Sequence, residues 1–177
     1  RTSVYGGTRP YELRLSAGVE FVAVDRALAD VATGVGTQRV VHEVDVFPAL
    51  AVSADPTNEF WFQASLGNHS SFGEYTSTVE LNDVDGEPAS FDLAYYGAPG
   101  LSTETPLTLT MTVNGQAAGT HDVTTTGLGV VTFALPAGAL QPGPNAIRIT
   151  AASSAPAGTA LLYVDRYTVT YGALREF

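Results

Sequence analysis

The sequence predicts an all-β fold: a two-sheet β-sandwich of jelly-roll type, with about ten strands and one short helix. Three observations carry this. Strand-favouring residues run the whole length, with 21 Thr and many Val, Tyr and Phe. Gly and Pro clusters recur at short intervals, as between the strands of sandwiches and barrels. Hydrophobic residues make up 45% of 177, enough for one full core and too short a chain for two comfortable ones.

Residues 1–9 carry no charge between Arg1 and Arg9 and precede the first clear strand. They form an N-terminal arm, a candidate for donation to a neighbouring sheet, and residues 10–177 make a single sandwich domain. Tyr11, Leu13 and Leu15 alternate with Glu12, Arg14 and Ser16, so the first strand buries one face. Val19 to Val24 is the second strand. Asp25 caps a helical turn over Arg26 to Val31, which Gly34 and Gly36 end. Gln38 to Phe47 reads as one long strand, and Glu59 to Leu66 as the next. Tyr75 to Leu81 and Ala89 to Tyr96 flank the acidic loop Asn82 to Glu87. In Leu107 to Val113, Leu, Met and Val alternate with Thr, and the Asn114-Gly115 that follows is the strongest short hairpin signal. Gly119 to Val123 is the return strand. Val130 to Leu135, the turn-rich link Pro136 to Gly143, Asn145 to Ala151 and Leu161 to Tyr171 complete the chain.

Charge and composition exclude several functions. The chain has 18 acidic residues, 8 Arg and no Lys, for a net charge of -10, so it carries no general basic footprint for nucleic acid. It has no Cys, hence no disulfide framework, thiolate metal site or cysteine nucleophile. No apolar run is long enough to span a membrane as a helix. The chain opens on Arg1 and reads as a mature or excised piece. His42, His69 and His121 are far apart, with no H-x-H or H-E-x-x-H spacing, and no G-x-S-x-G occurs. The expectation is a protein without enzymatic activity.

Several residues are candidates for binding. On the last strand Leu161, Tyr163, Asp165, Tyr167, Val169 and Tyr171 read as one face. A carboxylate in an aromatic row is costly unless paired, hydrogen-bonded or bound to a cation. Asp165 therefore either pairs with Arg or caps a turn, or ligates a metal. Glu43 and Asp45, two apart, share a strand face and offer the oxygens hard cations prefer. The competing reading is an exposed face with His42, Val44 and Val46 turned inward. Asp83 and Asp85 sit in a loop resembling half of an EF-hand, yet Leu81 stands where its first ligand would be, so an acidic turn is the better reading. Ca²⁺ is the cofactor this acid set would take, as a structural ion. Trp61, Tyr95 and Tyr96 are the candidate sugar-stacking aromatics, with core packing as the alternative for the lone Trp. Asn68-His69-Ser70 fits an N-glycosylation acceptor.

Three stretches taken in order resemble a known family. The first is Val41-His42-Glu43-Val44-Asp45 followed by Glu59-Phe60-Trp61-Phe62. The second is Val113-Asn114-Gly115-Gln116, then Thr132-Phe133-Ala134-Leu135-Pro136, then Leu140-Gln141-Pro142-Gly143-Pro144-Asn145. The third is Leu162-Tyr163-Val164-Asp165-Arg166-Tyr167-Thr168-Val169-Thr170-Tyr171. Together they resemble the galactose-binding-like jelly-roll domain that precedes the peptidase domain of secreted gingipain-like proteins. The resemblance implies a non-catalytic module, secreted or at the cell surface, acting in structure or protein–protein interaction. The family's nucleophilic Cys is absent from this chain. Related sandwiches hold a structural Ca²⁺ near the last strand. Two other functions stay open: a subunit that assembles into an extracellular filament or tube by strand donation, and a carbohydrate-binding module.

Overall fold

The computed structural model describes residues 33–49 and 61–176. They form eleven strands: β1 (Thr33–Glu43), β2 (Phe47–Pro48), β3 (Trp61–Phe62), β4 (Ala64–Gly67), β5 (Glu74–Leu81), β6 (Ala89–Gly97), β7 (Leu107–Val113), β8 (Gln116–Val123), β9 (Gly127–Leu135), β10 (Gly143–Ala152) and β11 (Leu161–Glu176). The all-β sandwich is confirmed. The short helix is not: no helix occurs among the described residues, and Arg26 to Val31 lies outside them. The N-terminal arm and the strands expected at Tyr11 to Leu15 and Val19 to Val24 also lie outside them.

The larger sheet has the order β1-β11-β6-β9, with β4 also paired to β11; the smaller has the order β5-β10-β7-β8. Every pairing is antiparallel. From β5 to β11 the chain changes sheet at each connection except the β7–β8 hairpin. That crossing follows from strand chemistry. β5, β6, β7, β9 and β10 each have one mainly apolar row, and two sheets facing each other bury these rows in one core. β7 is the simplest case, with Leu107, Leu109, Met111 and Val113 at 0% exposure and Thr between them. Its hairpin turn has positive φ at both central residues, Asn114 (52°) and Gly115 (79°). This is the I′ geometry that matches strand twist.

Tyr167 ties the layers together. Its buried ring stacks on Phe91 at 5.0 Å between centroids and meets His42 edge-on at 4.8 Å. Its hydroxyl shares a 2.9 Å hydrogen bond with Ser77 Oγ of the smaller sheet. Burial raises the pKa of Tyr167, and pushes that of Tyr75 up to about 12. At the other end Asn145, 0% exposed, donates to Gln141 O and Gly143 O and accepts from Gln141 N–H and Asn114 Nδ2. That carboxamide locks the link before β10 onto the β7–β8 turn.

Three sequence expectations need correction. The strand at Gln38 to Phe47 ends at Glu43, and residues 44–46 leave the sheet, so Asp45 does not continue the row of Glu43. The inward row also ends there: His42 reaches Tyr167, whereas Val44 and Val46 are 45% and 62% exposed. The strand at Glu59 to Leu66 is broken at Gln63, and Glu59 and Phe60 lie outside the described residues. The single face on the last strand does not exist. A register shift between Val164 and Arg166 makes Asp165 a bulge. One extra residue reverses the parity. Leu162 and Val164 face the core before it; Tyr167, Val169 and Tyr171 face it afterwards.

Candidate functional site

The register defines what lies across the outer face of the larger sheet. Running from β1 or β11 to β9, the rows are Tyr163–Tyr96–Leu128, Glu43–Arg166–Ala94–Val130, Val41–Thr168–Asp92–Thr132 and Arg39–Thr170–Ser90–Ala134. Val35 and Leu174 pair at the far end. The large exposed hydrophobics among the described residues are Val35, Val41, Val44, Val46, Leu128, Val130 and Leu174. Five of them stand in these rows, and Val44 and Val46 sit in the segment after β1. The outer face of the smaller sheet carries none of them. There Thr76, Arg148 and Thr112 share a row, beside one of Glu74, Thr150 and Thr110. Arg148 pairs with Glu74 at 2.7 Å, and Thr108 donates to Asp122 at 2.6 Å.

Part of the larger face is already covered. The β2–β3 ribbon lays Phe47 and Phe62 on Tyr163, with ring centroids 6.2 and 5.4 Å away. Ala49 and Phe62 are buried there, with Tyr96 packed against them. Leu128 and Val130 border this cluster along β9 and stay 66% and 62% exposed. Sequence reasoning missed both. Val130-Val131 is an apolar pair in which only Val131 faces the core, and composition does not reveal the parity.

The expected aromatic platform does not assemble as a set. Tyr95 is 6% exposed in the core, because neighbours on a strand face opposite ways; only Tyr96 reaches the outer face. Tyr96 and Trp61 are each half-buried.

The acidic candidates form two groups. Asp165, at the bulge, pairs with Arg166 at 2.7 Å through Oδ2. Its carboxyl pKa is raised, first by burial and then by Glu43 and Asp45, against the lowering effect of Arg166. Glu43 and Asp45 thus act on Asp165 through charge. Asp165 Oδ1 is buried without a hydrogen bond, as is Nε2 of Gln63, whose main-chain N–H bonds Val164 O. Asp83 and Asp85 lie further along β11, roughly 25 Å away at strand rise. There Asp83 O accepts from Leu174 N–H and Asp85 N–H donates to Gly172 O. Their loop thereby satisfies the edge of β11 beyond its pairing with β6, which reaches Thr170. Asp85 Oδ1 accepts from Glu87 N–H, and a Cβ on Gly172 would strike this carboxylate. Both aspartates serve the turn. Among the described residues no three acidic or histidine side chains are grouped to hold a metal ion.

Asn68, of the glycosylation triplet, is an internal bracket. Its Nδ2 donates to Ala155 O and Pro156 O, and its Oδ1 accepts from the N–H groups of Gly158 and Ala160. His42 lies on β1, His69 after β4 and His121 on β8, so the three histidines do not converge.

No family model and no curated protein matches the chain. Among solved structures it is similar to dimeric latent PorU from Porphyromonas gingivalis, with a TM-score of 0.55 and 11% identity. That match covers 77% of this chain and 13% of PorU, so the chain spans a small part of that protein. The insecticidal δ-endotoxin Cry8Ea1 from Bacillus thuringiensis gives a TM-score of 0.43 at 12% identity, covering 59% of this chain and 18% of the toxin. A CBM36 carbohydrate-binding module in complex with calcium and xylotriose gives 0.40 at 13% identity, covering 79% and 93%. At these identities the PorU match establishes the sandwich fold and nothing finer.

Proposed function

We propose that this chain is a non-catalytic extracellular β-sandwich module that works by protein contact through the outer face and edge of its larger sheet. The observation that carries the reading is the one-sided distribution of exposed Val and Leu. Apolar side chains gathered on one face mark an interaction surface, whereas scattered ones do not. The separation of the three histidines and the absence of Cys support a non-catalytic role. The resemblance to modules of secreted proteins supports an extracellular setting. A glycan site is less well supported, since Tyr95 is in the core and Tyr163 packs on Phe47 and Phe62.

The test is photo-crosslinking in the source organism, with the reactive side chain placed at Val130 or at Thr110 on the opposite outer face. Protein adducts from position 130 and not from 110 are expected. Equal yields from both positions, or none from 130, would sink the reading. Assembly through a sheet edge is a second reading, favoured by the character of β1.

A further inference from the structure

We infer that β1 is a self-complementary edge that pairs antiparallel with β1 of a second copy, about a twofold axis at Gln38. The inference rests on the protein-contact reading and names the partner. Among the described residues, β1, the four-residue β4 beside it, β9, β5 and β8 end the two sheets. Sheet edges are normally blunted by charge, proline, bulges or shortness. β5 points Glu74 and Glu80 outward. β8 carries a register irregularity opposite Met111 and Thr112. β9 contains Gly127 and Gly129. β1 carries Arg39 and Glu43 in its outer row and Gly34 and Gly36 near its start, but it is the longest of these strands: it runs for 11 residues in unbroken register with β11, without Pro or Lys. Its outer row carries Val35 and Val41 at 67% and 50% exposure.

The spacing of that row selects a partner. Gln38 is the midpoint of Thr33–Glu43 and also the midpoint between Val35 and Val41. A twofold axis there sets Val35 of each copy opposite Val41 of the other and uses the full strand. Arg39 then faces Thr37, and Glu43 faces Thr33, so no like charges are directly opposed. Other centres do worse. An axis at Arg39 opposes two guanidinium groups, one at Thr37 sets Val35 against Arg39, and one at Val41 overlaps only residues 39–43. The result is one continuous sheet across both copies. The edge is about 36 Å long and about 10 Å deep, roughly 360 Å² per copy. That is below the standard interface, so the dimer is transient and forms at high concentration.

Because the chain has no cysteine, single-Cys variants report the register directly. Facing Cα atoms of an antiparallel pair lie within disulfide range. Gln38→Cys should oxidise to a disulfide-linked dimer, and Thr110→Cys should not. A mixture of Val35→Cys and Val41→Cys should cross-link far more than either alone. In light scattering the parent chain at about 100 μM should shift from 18.5 kDa toward twice that mass. Val41→Lys should abolish the shift without lowering Tm, since Val41 is half-exposed. Equal cross-linking from positions 38 and 110, or a mass fixed at 18.5 kDa, overturns the self-pairing. Adducts at position 130 in the cell would still uphold the module reading in that case.

Discussion

The two outer faces of the sandwich come from strands of similar regularity and differ in what they show to water. On the smaller sheet Thr, Arg and Glu satisfy each other, as in the Arg148–Glu74 pair and the Thr108–Asp122 bond. On the larger sheet Val35, Val41, Leu128, Val130 and Leu174 stand exposed beside a half-built aromatic cluster. The polar face is complete in a single molecule. The apolar face is not: only another surface would take its side chains out of water. Exposure thus separates the part of the surface that maintains the fold from the part free to act.

Substitutions can break or sharpen this contrast. The largest effect is expected from Asn145→Ala, under the smaller sheet. It strands Gln141, Gly143 and Asn114 groups and should cost about 3 kcal/mol in urea unfolding. A loss near zero would mean that the network is incidental. Asn68→Ala removes four bonds from a more open site and should cost about 2 kcal/mol by the same measurement. Leu128→Thr with Val130→Thr should change stability by less than about 0.5 kcal/mol while lowering protein contact through the larger face. A large drop in stability would reassign these residues to the core.

Asp165 gives a pH-dependent contrast. Its folded pKa is raised, so the native state favours the protonated form. That contribution is fully present below the unfolded value and is lost as pH climbs through the raised folded one. Asp165→Asn should therefore have a higher Tm than the parent at pH 7, with the gap closing toward pH 3.5. A lower Tm at pH 7, seen only when Ca²⁺ is present, would instead restore the cation reading. The smallest effect is expected for Arg148→Ala. Its guanidinium holds Glu74 below the usual carboxylate range, but both groups are exposed, so thermal melts should barely move.

Much of the fold was legible in particular residues. The Leu/Thr alternation of β7 and the Asn114-Gly115 turn are where the sequence placed them, because period-two burial and positive φ are local requirements. The acidic turn at Asp83 and Asp85 was also readable as a turn. The outer face was not. Val130 and Val131 are alike in composition, and only pairing with Ala94 and Leu93 decides which one meets water. Gln63 carried no signal, since the burial of its Nε2 depends on distant strands, and its main chain bonds β11, about a hundred residues away.

The sequence by itself determined that this chain is made of strands, where most of them turn, and that thiol chemistry and a general basic footprint are absent. Those properties are set residue by residue, through alternation, Gly and Asn conformations and net charge. Tertiary structure alone decided which rows face the core, that Asp165 is a bulge, that Tyr95 and not Tyr96 is the buried one, and that exposed Val and Leu gather on one sheet. The physical reason is parity. A strand's two faces are equivalent until distant strands pair with it, and a single inserted residue exchanges them.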